Sequence, residues 1–150
     1  MNANSVCCNI KYKPNDKKYD QSIRKFQGCP TIAVTKGGRI YMGWYSGGTR
    51  FFVSRTPSGN VLLVVNDDEK SRKNLTALLS DDDGKTWKYK CLIDSRNDIS
   101  YPDVDFYNGK IYLTYDRERT GCKEILFLTF TEQEIIDGKI KNPVTIVSKP

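Results

Sequence analysis

The sequence predicts an all-β chain, and three observations carry that prediction. Short runs rich in β-branched and aromatic residues alternate with turn-forming Gly, Asn, Asp and Pro from about residue 30 onward. The runs pair off around tight turns, with turn glycines at Gly38, Gly59 and Gly109. The segment Ser80-Asp81-Asp82-Asp83-Gly84-Lys85-Thr86-Trp87 has the chemistry of a hairpin loop that bonds to itself. Its Asp82 carboxylate can accept from backbone N–H groups, Gly84 supplies a positive φ, and the Trp87 ring can cover the turn as the return strand starts.

Taken in order, the runs at 31–35 and 39–46 flank Lys36-Gly37-Gly38 and form the first hairpin. Those at 50–55 and 60–66 flank Pro57-Ser58-Gly59. The pair at 74–80 and 87–93 is closed by the Asp/Gly loop. Those at 103–107 and 110–115 flank Asn108-Gly109, a pair of residues suited to a two-residue hairpin turn. A further strand is predicted at 123–131 and a last one at 144–148. Between them, 132–137 reads as one helical turn, with Thr131 and Glu134 spaced for a capping box and Gly138 as its stop.

The hairpins repeat. Gly59 and Gly109 stand 50 residues apart with one further hairpin between them. Four strands in about fifty residues is the unit of a β-propeller blade. Gly38 and Gly59 are only 21 residues apart, with no hairpin between. The chain therefore divides into an N-terminal arm at 1–29, a half-blade at 30–46, a blade at 50–94 and a blade at 101–148, about two and a half blades of four antiparallel strands each. The junction Gly47-Gly48-Thr49-Arg50 is where blade material is absent.

Composition narrows the function classes. A chain of 150 residues with 38% apolar content can bury a real core. No apolar run approaches the ~20 residues that span a bilayer, so no membrane partner is expected. The first eight residues lack a basic start followed by an apolar stretch, which suggests a cytoplasmic setting. With five unpaired-looking cysteines and no histidine, free thiols are the simplest reading; neither a metal site nor any other cofactor is expected, and histidine-based acid/base chemistry is excluded. The net charge of +6 gathers at Lys11, Lys13, Lys17, Lys18, Arg24 and Lys25. A patch for anionic partners is one reading and a solvated arm the simpler one; aromatic residues do not alternate with these charges, so no nucleic-acid partner is expected.

The segment Ser80–Trp87 fits the pattern Ser-x-Asp-x-Gly-x-Thr-Trp and resembles the Asp-box, or BNR repeat, of the sialidase-like β-propellers, with Ser80, Asp82, Gly84, Thr86 and Trp87 as its fixed positions. Gln27–Ala33, Gly43–Gly48, Asn74–Leu79, Ser100–Asp103 and Tyr115–Arg119 also resemble stretches of the exo-α-sialidase-like BNR proteins. The resemblance implies a partial β-propeller of the sialidase type, in which a first half-blade joins directly to the last two blades of a longer ring. It also implies glycan processing, with sialic acid or a related acidic glycan as partner. A ring left open exposes apolar faces and strand edges, so self-association is expected.

In that family an arginine triad grips the substrate carboxylate, which the guanidinium fork suits because it offers parallel N–H donors. A neutral tyrosine attacks an anomeric carbon that already bears a carboxylate. The resemblance makes Tyr101 the candidate nucleophile and Arg72 a carboxylate clamp, with Arg117 a further candidate for substrate binding. Where the family carries an arginine before a proline, this chain has Gly28-Cys29-Pro30. The acid, the middle arginine and the activating glutamate belong to the absent segments, so weak or absent turnover is expected. A non-catalytic carbohydrate-binding or interaction scaffold is the alternative. Residue by residue, Tyr101 can equally be a strand-start aromatic, Arg72 a loop arginine paired with Asp67, Asp68 or Glu69, and Asp116-Arg117-Glu118-Arg119 a solvated loop. Asp81, Asp82 and Asp83 also suggest calcium, but the Asp-box accounts for them without a metal.

Overall fold

A computed structural model describes residues 28–45, 50–68 and 70–150. The arm up to residue 27, with its basic cluster, and the junction at 46–49 lie outside the described residues. The fold is all-β. It comprises β1 (Gly28–Val34), β2 (Ile40–Tyr45), β3 (Phe51–Arg55), β4 (Val61–Asn66), β5 (Leu75–Ser80), β6 (Tyr89–Asp94), β7 (Ile99–Tyr107), β8 (Lys110–Arg117), β9 (Glu124–Phe130), a short helix α1 (Glu132–Ile136) and β10 (Thr145–Ser148). These form a two-stranded sheet β1-β2 and two four-stranded antiparallel sheets, β3-β4-β5-β6 and β7-β8-β9-β10. Both larger sheets are simple up-and-down meanders. The first strands of successive sheets lie against one another, β1 on β3 and β3 on β7, in the manner of propeller blades.

Alternation along the strands sets the layers. Leu62 and Val64 of β4, with Leu75, Ala77 and Leu79 of β5, face Ile111, Leu113 and Tyr115 of β8 and Leu126, Leu128 and Phe130 of β9 across the main core. The opposite parity, Val53 and Val61 with Phe51 and Leu63, packs against Ala33 and Tyr41 of the first hairpin. The run Val61-Leu62-Leu63-Val64-Val65 is continuously apolar because the middle of this sheet is covered on both sides. Each fully buried leucine contributes roughly 1.5–3 kcal/mol of transfer free energy. The outer face of β1-β2 is covered by nothing among the described residues. Ile32, Val34, Ile40, Met42 and Trp44 are 41–61% exposed there, with Ile32 opposite Met42 and Val34 opposite Ile40.

The turns form as their residues require. Asn108 and Gly109 both take positive φ, 46° and 70°, as a mirror-image two-residue hairpin turn demands. Thr131 and Glu134 make the capping box, with Glu134 N–H donating to Thr131 Oγ1 at 3.2 Å and Thr131 N–H to Glu134 Oε2 at 2.9 Å. Glu132 accepts from Ser58 (2.8 Å) and Asn60 (2.6 Å), so the helix ties the second sheet to the β3–β4 turn of the first.

Three elements differ most from the sequence prediction. β1 starts at Gly28 rather than at 31, inside the stretch read as the arm at 1–29. β7 starts at Ile99 rather than at 103, because a bulge between Ser100 and Asp103 carries the strand past Pro102, which has no N–H to give to the ladder. Trp87 precedes β6 by two residues instead of opening it, and packs on the buried cluster of Ala33, Val53 and Val61.

Candidate functional site

The Asp-box loop is held by its own side chains. Asp82 accepts from Ser80 Oγ (2.8 Å), Thr86 N–H (2.9 Å) and Thr86 Oγ1 (2.7 Å), while Ser80 Oγ accepts from Gly84 N–H (2.8 Å). The Thr86 N–H, then the Thr86 and Ser80 hydroxyls, hold the Asp82 carboxyl far below the usual carboxylate range. The three neighbouring aspartates serve three different ends. Asp81 pairs with Lys88 at 2.7 Å, Asp82 closes the loop, and Asp83 accepts from Gly37 N–H at 3.3 Å. Among the described residues no three His, Cys, Asp or Glu side chains cluster to hold a metal ion.

Sequence reasoning missed a second job of this loop. The Asp83 carbonyl accepts from Tyr41 Oη (2.7 Å) and Arg39 Nη1 (2.8 Å), so the loop clasps the preceding hairpin. A Cβ on Gly84, which sits at φ 72°, would overlap the Tyr41 hydroxyl. The partners are more than forty residues apart in sequence, and nothing local signals their contact.

In each large sheet the Asp-box side is one end, and the opposite end carries a pocket of about 420 Å³. Three segments build it. The β4–β5 turn gives Arg72, the end of the β6–β7 connection and the start of β7 give Asp98 and Ser100, and the end of β8 with its following turn gives Asp116, Glu118, Arg119, Thr120 and Gly121. The turn holding Arg72 is fixed to β7, since Ile99 N–H donates to the Arg72 carbonyl at 2.8 Å and Asn66 Nδ2 donates to the carbonyls of Lys73 and Ile99 at 3.1 Å. Arg72 Nη1 itself donates to Ser100 Oγ at 3.3 Å. Of its candidate acidic partners, Asp68 pairs with Lys73 at 3.2 Å, Asp67 pairs with Lys90 at 2.5 Å, and Glu69 lies outside the described residues.

Tyr101 stands in the β7 bulge at φ 58°, in the left-handed region that bulky residues avoid. Holding it there costs about 1–3 kcal/mol, and strain of this kind collects at functional sites. Three guanidinium groups gather on its ring, those of Arg119 (3.6 Å), Arg50 (4.3 Å) and Arg72 (5.7 Å). Arg119 links Tyr101 to the pocket and donates to Asp116 Oδ2 at 2.9 Å, while Asp116 Oδ1 accepts from Ser100 Oγ at 3.0 Å. Partial burial works against the charge of Arg119, but hydrogen bonds and attraction from Asp116 and Tyr101 outweigh it and hold the guanidinium more firmly protonated than usual.

Arg117 is placed differently. Its Nη2 pairs with Glu118 at 2.6 Å and its Nη1 with Glu124 at 2.9 Å, and it is not among the residues lining the pocket. The alternating run Asp116–Arg119 thus divides its work. Asp116, Glu118 and Arg119 line the pocket, while Arg117 braces the wall behind it. Contact of Glu118 with the Cys122 thiol and N–H, together with Arg117, lowers the Glu118 carboxyl below its ordinary value. Glu124 continues to Arg96 at 3.8 Å, and Arg96 closes a two-pronged pair on the buried Asp94, with Nη2 to Oδ2 at 2.6 Å. Tyr115 Oη also donates to Asp94 Oδ2, at 2.9 Å. Burial pushes the Asp94 carboxyl up, but the Arg96 guanidinium, the Arg96 N–H and the Tyr115 hydroxyl together hold it below the usual range. Burial and the Asp94 charge push the Tyr115 phenol far up. This line of alternating charges joins the two large sheets beside the pocket.

Residues 50–113 match a family model described as a BNR repeat-like domain. The match spans the first large sheet and reaches into β8, taking in the Asp-box, Arg72, Ser100 and Tyr101, and it supports the BNR/sialidase-like superfamily. No curated protein and no solved structure matches the chain.

Proposed function

We propose that the chain is a glycan-recognition domain of the sialidase superfamily, exo-α-sialidase-like in ancestry, whose pocket takes a terminal acidic sugar. One observation carries this reading: Arg50, Arg72 and Arg119 converge on Tyr101 beside a cavity large enough for a monosaccharide. Guanidinium forks bind a carboxylate in a fixed plane, and Arg72 and Arg119 both line the cavity. If turnover occurs, the Tyr101 phenol is the nucleophile, since it brings no negative charge to a carbon already flanked by a carboxylate.

Binding without efficient hydrolysis is the form of this reading that the site supports best. A tyrosine nucleophile needs a base, and the departing sugar needs an acid. Two of the three nearby carboxylates are already engaged, Asp116 by Arg119 and Ser100 and Glu118 by Arg117. A preorganised site would leave such groups aimed at the reacting atoms. The test is a paired measurement on the full chain, following binding of acidic monosaccharides by ligand-observed NMR and hydrolysis of a fluorogenic sialoside. Binding that disappears in Arg72→Ala and Arg119→Ala is the expected result. Any turnover should vanish in Tyr101→Phe. Acidic-sugar binding untouched by both arginine substitutions would refute the assignment.

A further inference from the structure

The three sheets stack in one direction, and that direction leaves two unlike faces open. Ala33 and Tyr41 of β1-β2 pack on the Val53 and Val61 side of the β3–β6 sheet. The other side of that sheet, with Leu62 and Val64, packs on Leu113 and Leu128 of the β7–β10 sheet. Each contact thus sets the front of one sheet on the rear of the next. Among the described residues, the rear of β1-β2 and the front of the last sheet lie open. The open rear carries Ile32, Val34, Ile40, Met42 and Trp44. The open front carries Tyr112 and Phe127, their ring centroids 6.3 Å apart. Phe127 stands in a cross-strand row with the exposed Asp103, Thr114 and Thr145.

We propose that the chain closes into a ring with a second copy of itself, the front of the β7–β10 sheet of each copy resting on the rear of β1-β2 of the other. A propeller ring closes with about four to eight sheets. One copy supplies three sheets and two copies supply six, inside that range, and a third copy would overshoot it. The contact joins unlike faces, so a pair related by a twofold axis makes it twice and leaves no free face to start a filament. The contact repeats the front-on-rear stacking that the chain already makes twice within itself. The area also suffices. The five β1-β2 side chains leave about 500 Å² open, and a stable interface takes about 800 Å² from each partner. A closed pair covers this face and the facing sheet on both copies, which comes to about 1,000 Å² per copy.

The experiment measures the mass of the full chain by light scattering over a range of concentrations, for the wild type, Met42→Lys, Thr114→Glu and a mixture of the two variants. The wild type is expected to saturate at two copies. Each variant alone places a charge against an apolar face in both contacts and is expected to weaken pairing about a hundredfold or more. The mixture is expected to restore pairs, because a mixed pair keeps one contact intact and sets opposite charges against each other in the other. Thr145→Glu, in the same exposed row, repeats the test of the front face should Thr114→Glu fail to fold. A wild type that stays monomeric at high concentration overturns the proposal, whether the arm or nothing covers β1-β2. Growth beyond two copies overturns the closed ring. Pairing that survives both front-face variants places two β1-β2 faces against each other and overturns the mating surface, as does a mixture that stays monomeric.

Discussion

Removing the Asp94 carboxylate should loosen the seam between the two large sheets by an amount the structure sets. Asp94 is 7% exposed and accepts from two buried or half-buried partners, Arg96 and Tyr115. In Asp94→Ala the Tyr115 hydroxyl, on a side chain 2% exposed, loses its acceptor. An unsatisfied buried hydroxyl costs about 1–3 kcal/mol. The Arg96 side chain is 38% exposed and can turn toward water, so its loss adds only about 1 kcal/mol rather than the full cost of breaking a buried pair. The expected total is about 3 kcal/mol, read as a fall in the urea midpoint at constant m. Tyr115→Phe should cost about 1–2 kcal/mol, because Asp94 keeps Arg96. The double variant should cost about 1 kcal/mol less than the sum, since phenylalanine needs no acceptor. The sign with pH follows from the lowered Asp94 carboxyl. Its stabilisation is fully present above the ordinary carboxylate range and is lost as pH falls through the lowered value, so wild type and Asp94→Ala should converge in strong acid. A cost below about 1 kcal/mol near neutral pH, or strict additivity of the two changes, would refute the reasoning.

Three further outcomes follow from the same coordinates. Gly84→Ala should destabilise by about 1–3 kcal/mol, since it strains a φ of 72° and drives a methyl into the Tyr41 hydroxyl; thermal unfolding of the variant checks this. The Lys70 N–H, followed by Lys73 and Ser71, lowers the Asp68 carboxyl to about 2, and Asp82 lies lower still. Both groups should stay ionised at pH 3, and the protection factor of the Thr86 amide, its exchange rate relative to an unstructured amide at the same pH, should be the same there as at pH 6 in wild type and fall in Asp82→Ala. The outer face of β1-β2 should draw a second copy of the chain, because the inner face of the same strands already stacks on a sheet. Light scattering should show concentration-dependent association that Met42→Lys weakens, and a monomer at high concentration in the wild type would contradict it.

Much of the fold was legible because it is local. Asn108-Gly109 specifies its turn by backbone conformation, Thr131 and Glu134 specify a helix start three residues apart, and Ser80 to Thr86 specify a loop whose bonds stay inside it. The candidate site was legible only in part. Tyr101 and Arg72 were found through a resemblance, but Arg50 and Arg119 join them across distances in sequence that no spacing rule connects. The run Asp116-Arg117-Glu118-Arg119 looks the same on paper whether it is a solvated loop or a pocket wall. Its partners decide which, and Ser100, Glu124 and Tyr101 lie on other strands. The bulge at Ser100 to Asp103 was hidden for a related reason, since a pleat broken by Pro102 mimics the strand boundary that proline usually marks.

The bond from Tyr41 to the Asp83 carbonyl bears on how such a chain gains and loses parts. The gripping atom belongs to the backbone of the later sheet's loop, so the bond does not depend on which side chain stands at position 83. A duplicated or transplanted unit carries its own fastener and asks of its new neighbour only a donor at the tip of a hairpin. Assemblies made this way can grow or shrink by whole modules while each junction stays sealed.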